Sequence, residues 1–156
     1  MVQETLAGIA AGAVGTMALD IATYTDMVMR GRPSSGVPAQ IAGSIAEGVG
    51  LDLSAGNDGG EDAAKQKAES RKSGLGALMG YATGLGVGAA YGMIRPHLGR
   101  WSLPLAGVAL GMAAMAASDT PAVVTGATDP RTWGASGWVS DVIPHLAYGL
   151  VTALAY

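Results

Sequence analysis

The sequence predicts an all-α integral membrane protein of a single domain, residues 1–156, in which four helices form a bundle. Three observations lead to this prediction. Charged residues make up only 13% of the chain and hydrophobic residues 49%, whereas globular proteins carry about 25% charged residues. Four apolar stretches reach or approach the roughly 20 residues that a membrane-spanning helix needs. Tryptophan, arginine and proline residues fall at the ends of these stretches, which is typical of membrane interfaces.

The first apolar segment covers residues 5–29 and is interrupted by Asp20 and Asp26. It does not begin like a secretory signal peptide, because Glu4 stands where a lysine or arginine would be expected. We therefore expect this segment to be retained as the first membrane helix.

A long polar connection, residues 30–73, follows and is predicted to carry a short amphipathic helix. Its apolar residues Val37, Ile41, Ile45 and Val49 recur every four positions, so they share one face of a helix. That helix either lies on the cytoplasmic surface of the membrane or covers the base of the bundle.

The second half of the connection is predicted to be a turn followed by a charged helix. Residues 54–60 are rich in turn formers, and they lack the spacing of a calcium-binding loop. Residues 61–72 form the charged helix, which we expect to run directly into the second apolar segment. Its basic side chains would meet lipid headgroups, or would bind a partner: Lys65, Lys67, Arg71 and Lys72.

The second apolar segment, residues 74–94, contains a ladder of glycines four residues apart. Such a face has no side chains, and in lipid it allows helix backbones to approach closely. The sequence therefore predicts a glycine-zipper second helix. Its packing partner is either another helix of this chain or a second copy, and the functional alternative is a pore lined by bare backbone. The ladder consists of Gly76, Gly80, Gly84, Gly88 and Gly92, and matching small faces come from Gly8 and Gly12 and from Gly107 and Gly111.

The third and fourth apolar segments cover residues 101–118 and 136–156. Asp119 and Pro121 are expected to mark the end of the third segment. Most of the basic residues lie between segments one and two, and Arg131 lies between segments three and four. The positive-inside rule then assigns both of these connections to the cytoplasm. The long connection would thus be a cytoplasmic amphipathic connection, and both termini would face outward.

Polar residues inside the apolar segments indicate a candidate site. Asp20 and His145 are predicted to lie at similar depth, and Asp141 precedes His145 by one helical turn on the same face. Thr16 and Tyr148 continue these faces. Because imidazole titrates near neutrality, the group could exchange protons. The alternative is a structural contact between aspartate and histidine that joins the first and fourth segments.

Several classes of function are disfavoured by composition. A nucleic-acid binder is not expected, because the net charge is -3 and no basic stripe is present. The chain has no cysteine, which removes disulfides and thiol chemistry. We expect no metal and no cofactor, because the eight methionines are better explained by packing and His97 and His145 lie at different depths.

The later half of the chain resembles a known group of membrane proteins. The residues that carry the resemblance are Gly88–Gly92, then Gly107 and Gly111, then Asp141 and the stretch 144–149 with its Pro-His-Leu-Ala-Tyr-Gly sequence. Over about residues 75–150 this pattern is similar to small bacterial inner-membrane proteins of the YagU-like type. The resemblance implies a multi-pass protein of the inner membrane and directs attention to His145. It implies no substrate, cofactor or reaction.

The function expected from the sequence is that of a structural or accessory subunit of a membrane complex, or of a homo-oligomer, rather than that of an enzyme. Its partners would be the lipid bilayer and other membrane subunits. The alternative is a small proton- or ion-coupled transporter or channel that uses the intramembrane Asp and His residues. A soluble helical bundle rich in alanine and glycine is the competing fold class.

Overall fold

The computed structural model describes residues 1–54, 60–99 and 101–156. The described residues form an all-α structure, and 83% of them are helical. The predicted turn over residues 54–60 lies, apart from its two ends, outside the described residues. The described part of the chain forms five α-helices: α1 (Val2–Arg30), α2 (Val37–Gly48), α3 (Gly60–Ile94), α4 (Leu103–Val124) and α5 (Ala135–Ala155).

Helix α1 is longer than the apolar segment that predicted it. It has 29 residues, which at 1.5 Å per residue is about 43 Å. It ends at Arg30, and the next residue, Gly31, has a φ of 61° in the left-handed region. Glycine adopts that conformation without the steric cost that a side chain would add, so Gly31 is a natural stop for the helix.

Helix α3 joins the charged stretch to the second apolar segment without a break, as the sequence predicts. Its 35 residues correspond to about 52 Å, more than a bilayer core of about 30 Å requires. Glu61 and Asp62 lie in the first turn, where negative charge is favourable because the backbone N–H groups of that turn carry partial positive charge.

Helix α4 extends beyond its predicted end at residue 118. Pro121 was expected to stop the helix, but it lies inside it. Proline removes the hydrogen bond to the carbonyl of Ala117, while its own carbonyl still accepts one, from the N–H of Thr125 at 2.9 Å. As a result Asp119, which was expected to mark the helix end, lies within the helix.

Three helices are long and apolar enough to cross a membrane: Val2–Arg30, Gly60–His97 and Leu103–Val124. They correspond to the first three predicted segments. Helix α5, the fourth predicted segment, is not among them. It carries Asp141, Pro144 and His145 within its 21 residues, and these residues lower its mean hydropathy.

Helices α1 and α3 cross at their glycines. A Cβ added to Gly12 would lie 2.7 Å from the carbonyl oxygen of Gly84, and one added to Gly88 would lie 2.7 Å from the Cα of Gly12. A Cβ on Gly8 would meet the backbone of Gly88 and Gly92. The two backbones are thus in direct contact, and the order of the partners shows that the helices are antiparallel.

The other two glycines of the ladder have different surroundings. Gly76 contacts α2 instead of α1, since a Cβ there would lie 2.6 Å from the carbonyl carbon of Pro38. Gly80 is exposed, and a Cβ there would meet nothing within 4 Å. The ladder therefore contacts two different helices, and Gly80 contacts neither.

A second backbone contact joins α4 to α5. A Cβ on Gly111 would lie 2.7 Å from the carbonyl oxygen of His145, and one on Gly107 would lie 2.9 Å from the Cα of Leu150. The facing residue on α5 is Gly149, where a Cβ would lie 2.8 Å from the Cα of Gly111. Gly107 and Gly111 were expected to match the glycine ladder of the second segment, but they lie against α5, and Gly149 was not predicted to take part.

Helix α2 lies against α3 through a face that the sequence did not predict. Ile41, Ala42 and Ala46 are buried, whereas Ile45 is 46% exposed and Val49 is 74% exposed. The four-residue repeat therefore predicted the helix correctly, but half of the apolar stripe points away from α3.

Side-chain contacts connect α1 to α5 at both of its ends. Arg30 donates from Nη1 to the Ser136 hydroxyl at 2.6 Å. At the other end the Tyr156 hydroxyl donates to the Glu4 carboxylate. Helices α1 and α5 are therefore antiparallel, and the two termini of the chain lie at the same end of the molecule.

Candidate functional site

A cluster of polar side chains lies between α4 and α5. The Ser118 hydroxyl oxygen is 3.1 Å from Nε2 of His145. On the other side of the ring, Nδ1 of His145 is 2.8 Å from the backbone carbonyl oxygen of Asp141 and 3.3 Å from its Oδ1 atom. Both side chains are mostly buried, with 13% of His145 and 19% of Asp141 exposed.

The local sequence accounts for this geometry. Asp141 and His145 are four residues apart, so their side chains lie one above the other on the same face of α5. Pro144 is buried inside the same turn. Because proline cannot donate to the carbonyl four residues earlier, the carbonyl of Ser140 loses its helical partner. Pro121 has the same effect on the carbonyl of Ala117 in α4.

The hydrogen bonds of His145 can be satisfied in both of its protonation states. In the neutral ring, Nδ1–H donates to Asp141 and Nε2 accepts from the Ser118 hydroxyl. In the charged ring both nitrogens donate, and the Ser118 hydroxyl turns to the carbonyl oxygens of Ala114 and Met115, at 3.2 and 3.0 Å. His145 can therefore gain or lose a proton without leaving a buried hydrogen-bond donor unpaired.

Asp119 completes the cluster. It follows Ser118 on α4 and lies within electrostatic range of both Asp141 and His145. Oδ2 of Asp141 is buried and has no hydrogen-bond partner among the described residues. Buried carboxylate oxygens are nearly always hydrogen-bonded, so an atom left without a partner requires an explanation.

Asp20, which was predicted to share this site, has a different partner. The Tyr81 hydroxyl on α3 donates to Oδ2 of Asp20 at 3.3 Å. Over the described residues no hydrogen bond or ion pair joins Asp20 to Asp141 or His145. The predicted site is therefore divided between two helix pairs, with Asp20 facing α3 and His145 facing α4.

Thr16 and Tyr148 bind backbone. Tyr148 is 1% exposed, and its hydroxyl donates to the carbonyl oxygen of Gly84 at 2.6 Å. The Thr16 hydroxyl donates to the carbonyl oxygen of Gly12 at 2.9 Å. The Tyr148 bond holds α5 at the glycine face of α3, whereas the Thr16 bond lies within α1, and neither hydroxyl is directed at His145.

A second ionic group lies where α1 meets the start of α5. Asp26 forms ion pairs with Arg30 and Arg32, each at 2.5 Å, and Arg30 also donates to Ser136 and Ser140. The four-residue spacing of Asp26 and Arg30 is a sequence signal that could have identified this pair.

The basic residues expected at lipid headgroups have contacts within the chain. Lys65 pairs with Glu61 at 2.7 Å, and Lys72 pairs with Glu69 at 3.1 Å. Arg71 donates to the carbonyl oxygen of Leu53 at 2.6 Å. Headgroup contact by these residues and by Lys67 stays a prediction.

Ser118 and Asp119 were missed by the sequence analysis as site residues. The third segment was predicted to end at residue 118, so Ser118 was its last residue and Asp119 lay outside it. The signal that could have found them is the continued apolar composition of residues 122–124, since it allows the helix to pass through Pro121.

Comparisons with other proteins do not identify the chain. No protein-family model matches it, and searches of curated proteins and of solved structures find no match either. The resemblance to YagU-like proteins stays a prediction. In the part of the chain that the structure describes, no three His, Asp or Glu side chains are placed to hold a metal ion.

Proposed function

We propose that this chain is a small multi-pass membrane protein that binds and releases a proton at the cluster of Asp119, Asp141 and His145. The observation that carries the proposal is the buried Oδ2 atom of Asp141, which has no hydrogen-bond partner among the described residues and belongs to a residue in contact with a histidine. Ionisable groups at membrane depth are costly and commonly belong to proton or ion pathways.

The membrane assignment is supported by the apolar side chains that point outward. Met17, Ile21, Leu78 and Met112 are each more than half exposed, and they lie in the three helices that are long and apolar enough to cross a bilayer. Such a surface is unfavourable in water. In lipid it is the expected outer surface.

Four membrane helices, α1, α3, α4 and α5, would form one bundle. The proposal is supported by the antiparallel backbone contacts of α1 with α3 and of α4 with α5 and by the two end contacts of α1 with α5. The glycine zipper of α3 would then be its contact with α1 through Gly84, Gly88 and Gly92. Helix α5, with its polar residues, would be shielded from lipid by α1 and α4.

In this arrangement both termini face outward, and the membrane is the inner membrane of a bacterium. The excess of Lys and Arg in the connection over residues 30–73 supports that orientation. The proton site would lie in the cytoplasmic half, because α4 ends at Val124, five residues after Asp119, about 8 Å along the helix axis.

His145 would be the proton carrier, because its ring changes charge near neutral pH. Asp141 and Asp119 would stabilise the charged ring, and Ser118 would follow the change by rotating its hydroxyl. Protonation would thereby alter the contact between α4 and α5, and that change could be coupled to the passage of an ion or a small solute.

The test is proton flux into liposomes that contain the purified protein and a pH-sensitive dye. We expect the wild-type chain to dissipate an imposed pH gradient. His145→Gln should slow this flux by about a hundredfold, since a positioned acid–base group contributes roughly 10²–10⁴ in rate. His97→Gln is the matched control, because His97 is exposed in the short turn that follows α3 and should leave the rate unchanged.

Two results would contradict the proposal. One is wild-type liposomes that hold the gradient as long as empty ones. The other is equal loss of flux in His97→Gln and His145→Gln, since His97 takes no part in the cluster.

A structural or accessory role is the second candidate, alone or as a homo-oligomer. It is favoured by the apolar face of α1, where Val14, Met17 and Ile21 are all exposed and could adjoin another membrane subunit. Native mass spectrometry in mild detergent tests it. Stable dimers or a co-purified membrane subunit would support it, and a monomer in every detergent would oppose it.

A further inference from the structure

The end of the molecule that carries both termini contains a cavity that the proton cluster does not use. Its volume is about 480 Å³. It is lined by Glu4, Tyr91, Arg95, Trp101 and Tyr156 together with small and apolar residues of α4 and α5. Residues far apart in the sequence, from α1, α3, the segment before α4 and the C-terminus, thus converge on one space.

Two opposite charges line this cavity without pairing with each other. Over the described residues Glu4 and Arg95 form no ion pair, and the only hydrogen bond from the Arg95 side chain goes to the backbone carbonyl oxygen of Leu98, at 3.3 Å. The Glu4 carboxylate accepts from the Tyr156 hydroxyl, which fixes its position and leaves its charge uncompensated. A ligand that carries both a cation and an anion would complement the pair.

Three aromatic side chains line the same cavity as Glu4. Tyr91 and Tyr156 lie edge to face with their ring centroids 5.1 Å apart. Trp101 also lines the cavity. Tyrosine and tryptophan faces attract ammonium groups, so the rings favour a cation beside Glu4, while the guanidinium of Arg95 suits a phosphate.

The apolar part of the cavity continues along the start of α4. Leu103 and Ala106 line it, and Leu103 and Leu105 are exposed beyond it. A ligand with a charged head and long apolar chains would place its head in the cavity and its chains along α4. In the proposed membrane arrangement, Trp101 would lie at the depth of the lipid headgroups, where tryptophan is enriched in membrane proteins.

We infer that this cavity binds the headgroup of a zwitterionic phospholipid, with the ammonium at Glu4 and the phosphate at Arg95. The inference rests on the membrane assignment proposed above, but not on the proton cluster. The bound lipid would bridge α1 and α3 at the end of the molecule where their glycine contact begins, and would hold Glu4 and Arg95 apart.

The test is native mass spectrometry of the protein in detergent with equal amounts of phosphatidylethanolamine and phosphatidylglycerol. The two lipids share the phosphate, but only the first carries an ammonium. We expect the wild-type chain to retain one phosphatidylethanolamine with about tenfold preference, since hydrogen bonds to charged groups contribute on this scale.

Single substitutions should distinguish the role of the Glu4 charge from that of the Arg95 charge. Glu4→Gln keeps an acceptor for Tyr156, so it should fold and lose the preference between the two lipids. Arg95→Gln should weaken retention of both lipids about tenfold, and Arg95→Lys should restore it. Glu61→Gln and Arg131→Gln are the matched controls, because these exposed residues lie outside the cavity and should change nothing.

A water-soluble competitor identifies the source of the headgroup. Glycerophosphoethanolamine has the same ammonium and phosphate without acyl chains, and it should not displace the lipid. Displacement at equal concentration would overturn the lipid assignment. An unchanged lipid preference in Glu4→Gln would also overturn the inference. A chain that stays folded in buffer without detergent would refute the membrane assignment itself, whereas bound lipid without headgroup preference would refute this inference alone.

Discussion

At the scale of single residues, the glycines of the α3 ladder have different roles although their spacing is the same. The spacing determines which face of α3 they share, but it does not determine which helix packs against each of them. Gly88 lies where α1 and α3 touch through backbone atoms, whereas Gly80 faces open space. Sequence spacing groups the two together. Their surroundings differ because α1 and α3 cross at an angle, and two crossing helices stay in contact over only a few turns.

The first prediction compares alanine at these two positions. Gly88→Ala would push a methyl group against the backbone of Gly8 and Gly12, where no side chain can move aside, and should destabilise the protein by about 1–3 kcal/mol. Gly80→Ala should be neutral or stabilising by up to about 1 kcal/mol, because alanine is the better helix former. Unfolding in mixed detergent micelles measures both, and equal destabilisation would contradict the packing described.

The contact between Asp141 and His145 on α5 could be predicted from the sequence, but the contact of His145 with Ser118 on α4 could not. A four-residue spacing places Asp141 beside His145 in any helix. The approach of Ser118 to Nε2 of His145 depends on how α4 and α5 pack through Gly107, Gly111 and Gly149. That packing is a property of the folded chain, and sequence spacing within one helix does not contain it.

The second prediction concerns Ser118. Replacing it with alanine removes the partner of Nε2 of His145 but leaves the ring and Asp141 in place. A neutral hydrogen bond contributes about 1 kcal/mol, so Ser118→Ala should reduce proton flux about fivefold, much less than His145→Gln. Flux in liposomes at several pH values measures this. A loss as large as that of His145→Gln would make Ser118 an obligatory member of the site.

At the scale of helices, the composition of the sequence predicted the presence of each helix more accurately than its ends. The charged and apolar parts of α3 were predicted to be continuous, and they are. The end of α4 was predicted too early, because proline was given more weight than the apolar residues after it. Proline removes one hydrogen bond and kinks a helix, but a packed neighbour such as α5 can hold the following turn in place.

Helix α2 gives the third prediction. Its buried face contacts α3, so the exposed side chains of Ile45 and Val49 should lie at the membrane surface. Because the chain has no cysteine, a fluorophore attached to Ile45→Cys would be the only label. It should be quenched by lipid-borne quenchers, whereas the same label at the exposed polar residue Gln40 should be quenched from water. The reverse pattern would place α2 away from the membrane.

At the scale of the whole molecule, the sequence predicted an all-α chain with long apolar helices, and the structure bears this out. It did not predict that the polar residues would divide into an Asp20 group facing α3 and an Asp141 group facing α4. The depth of a residue along a helix follows from its position in the sequence. The helix that its side chain faces depends on how the helices pack against one another. For that reason Asp20 and His145 were expected together at one depth and are partnered by different helices.

The two termini lie at the same end of the molecule, as the contact of Tyr156 with Glu4 shows. The proposed orientation requires that end to face outward. In the same orientation Ser34, which follows α1, and Thr132, which precedes α5, would face the cytoplasm.

The most direct test of the membrane assignment is labelling of single cysteines in intact cells with a membrane-impermeant maleimide. Gln3→Cys and Ser102→Cys should be labelled from outside, because both residues are exposed at the end that carries the termini. Ser34→Cys and Thr132→Cys, also exposed, should be labelled only after the cells are opened. Equal labelling of all four before the cells are opened, or equal protection of all four, would contradict a chain that crosses the membrane with both termini outside.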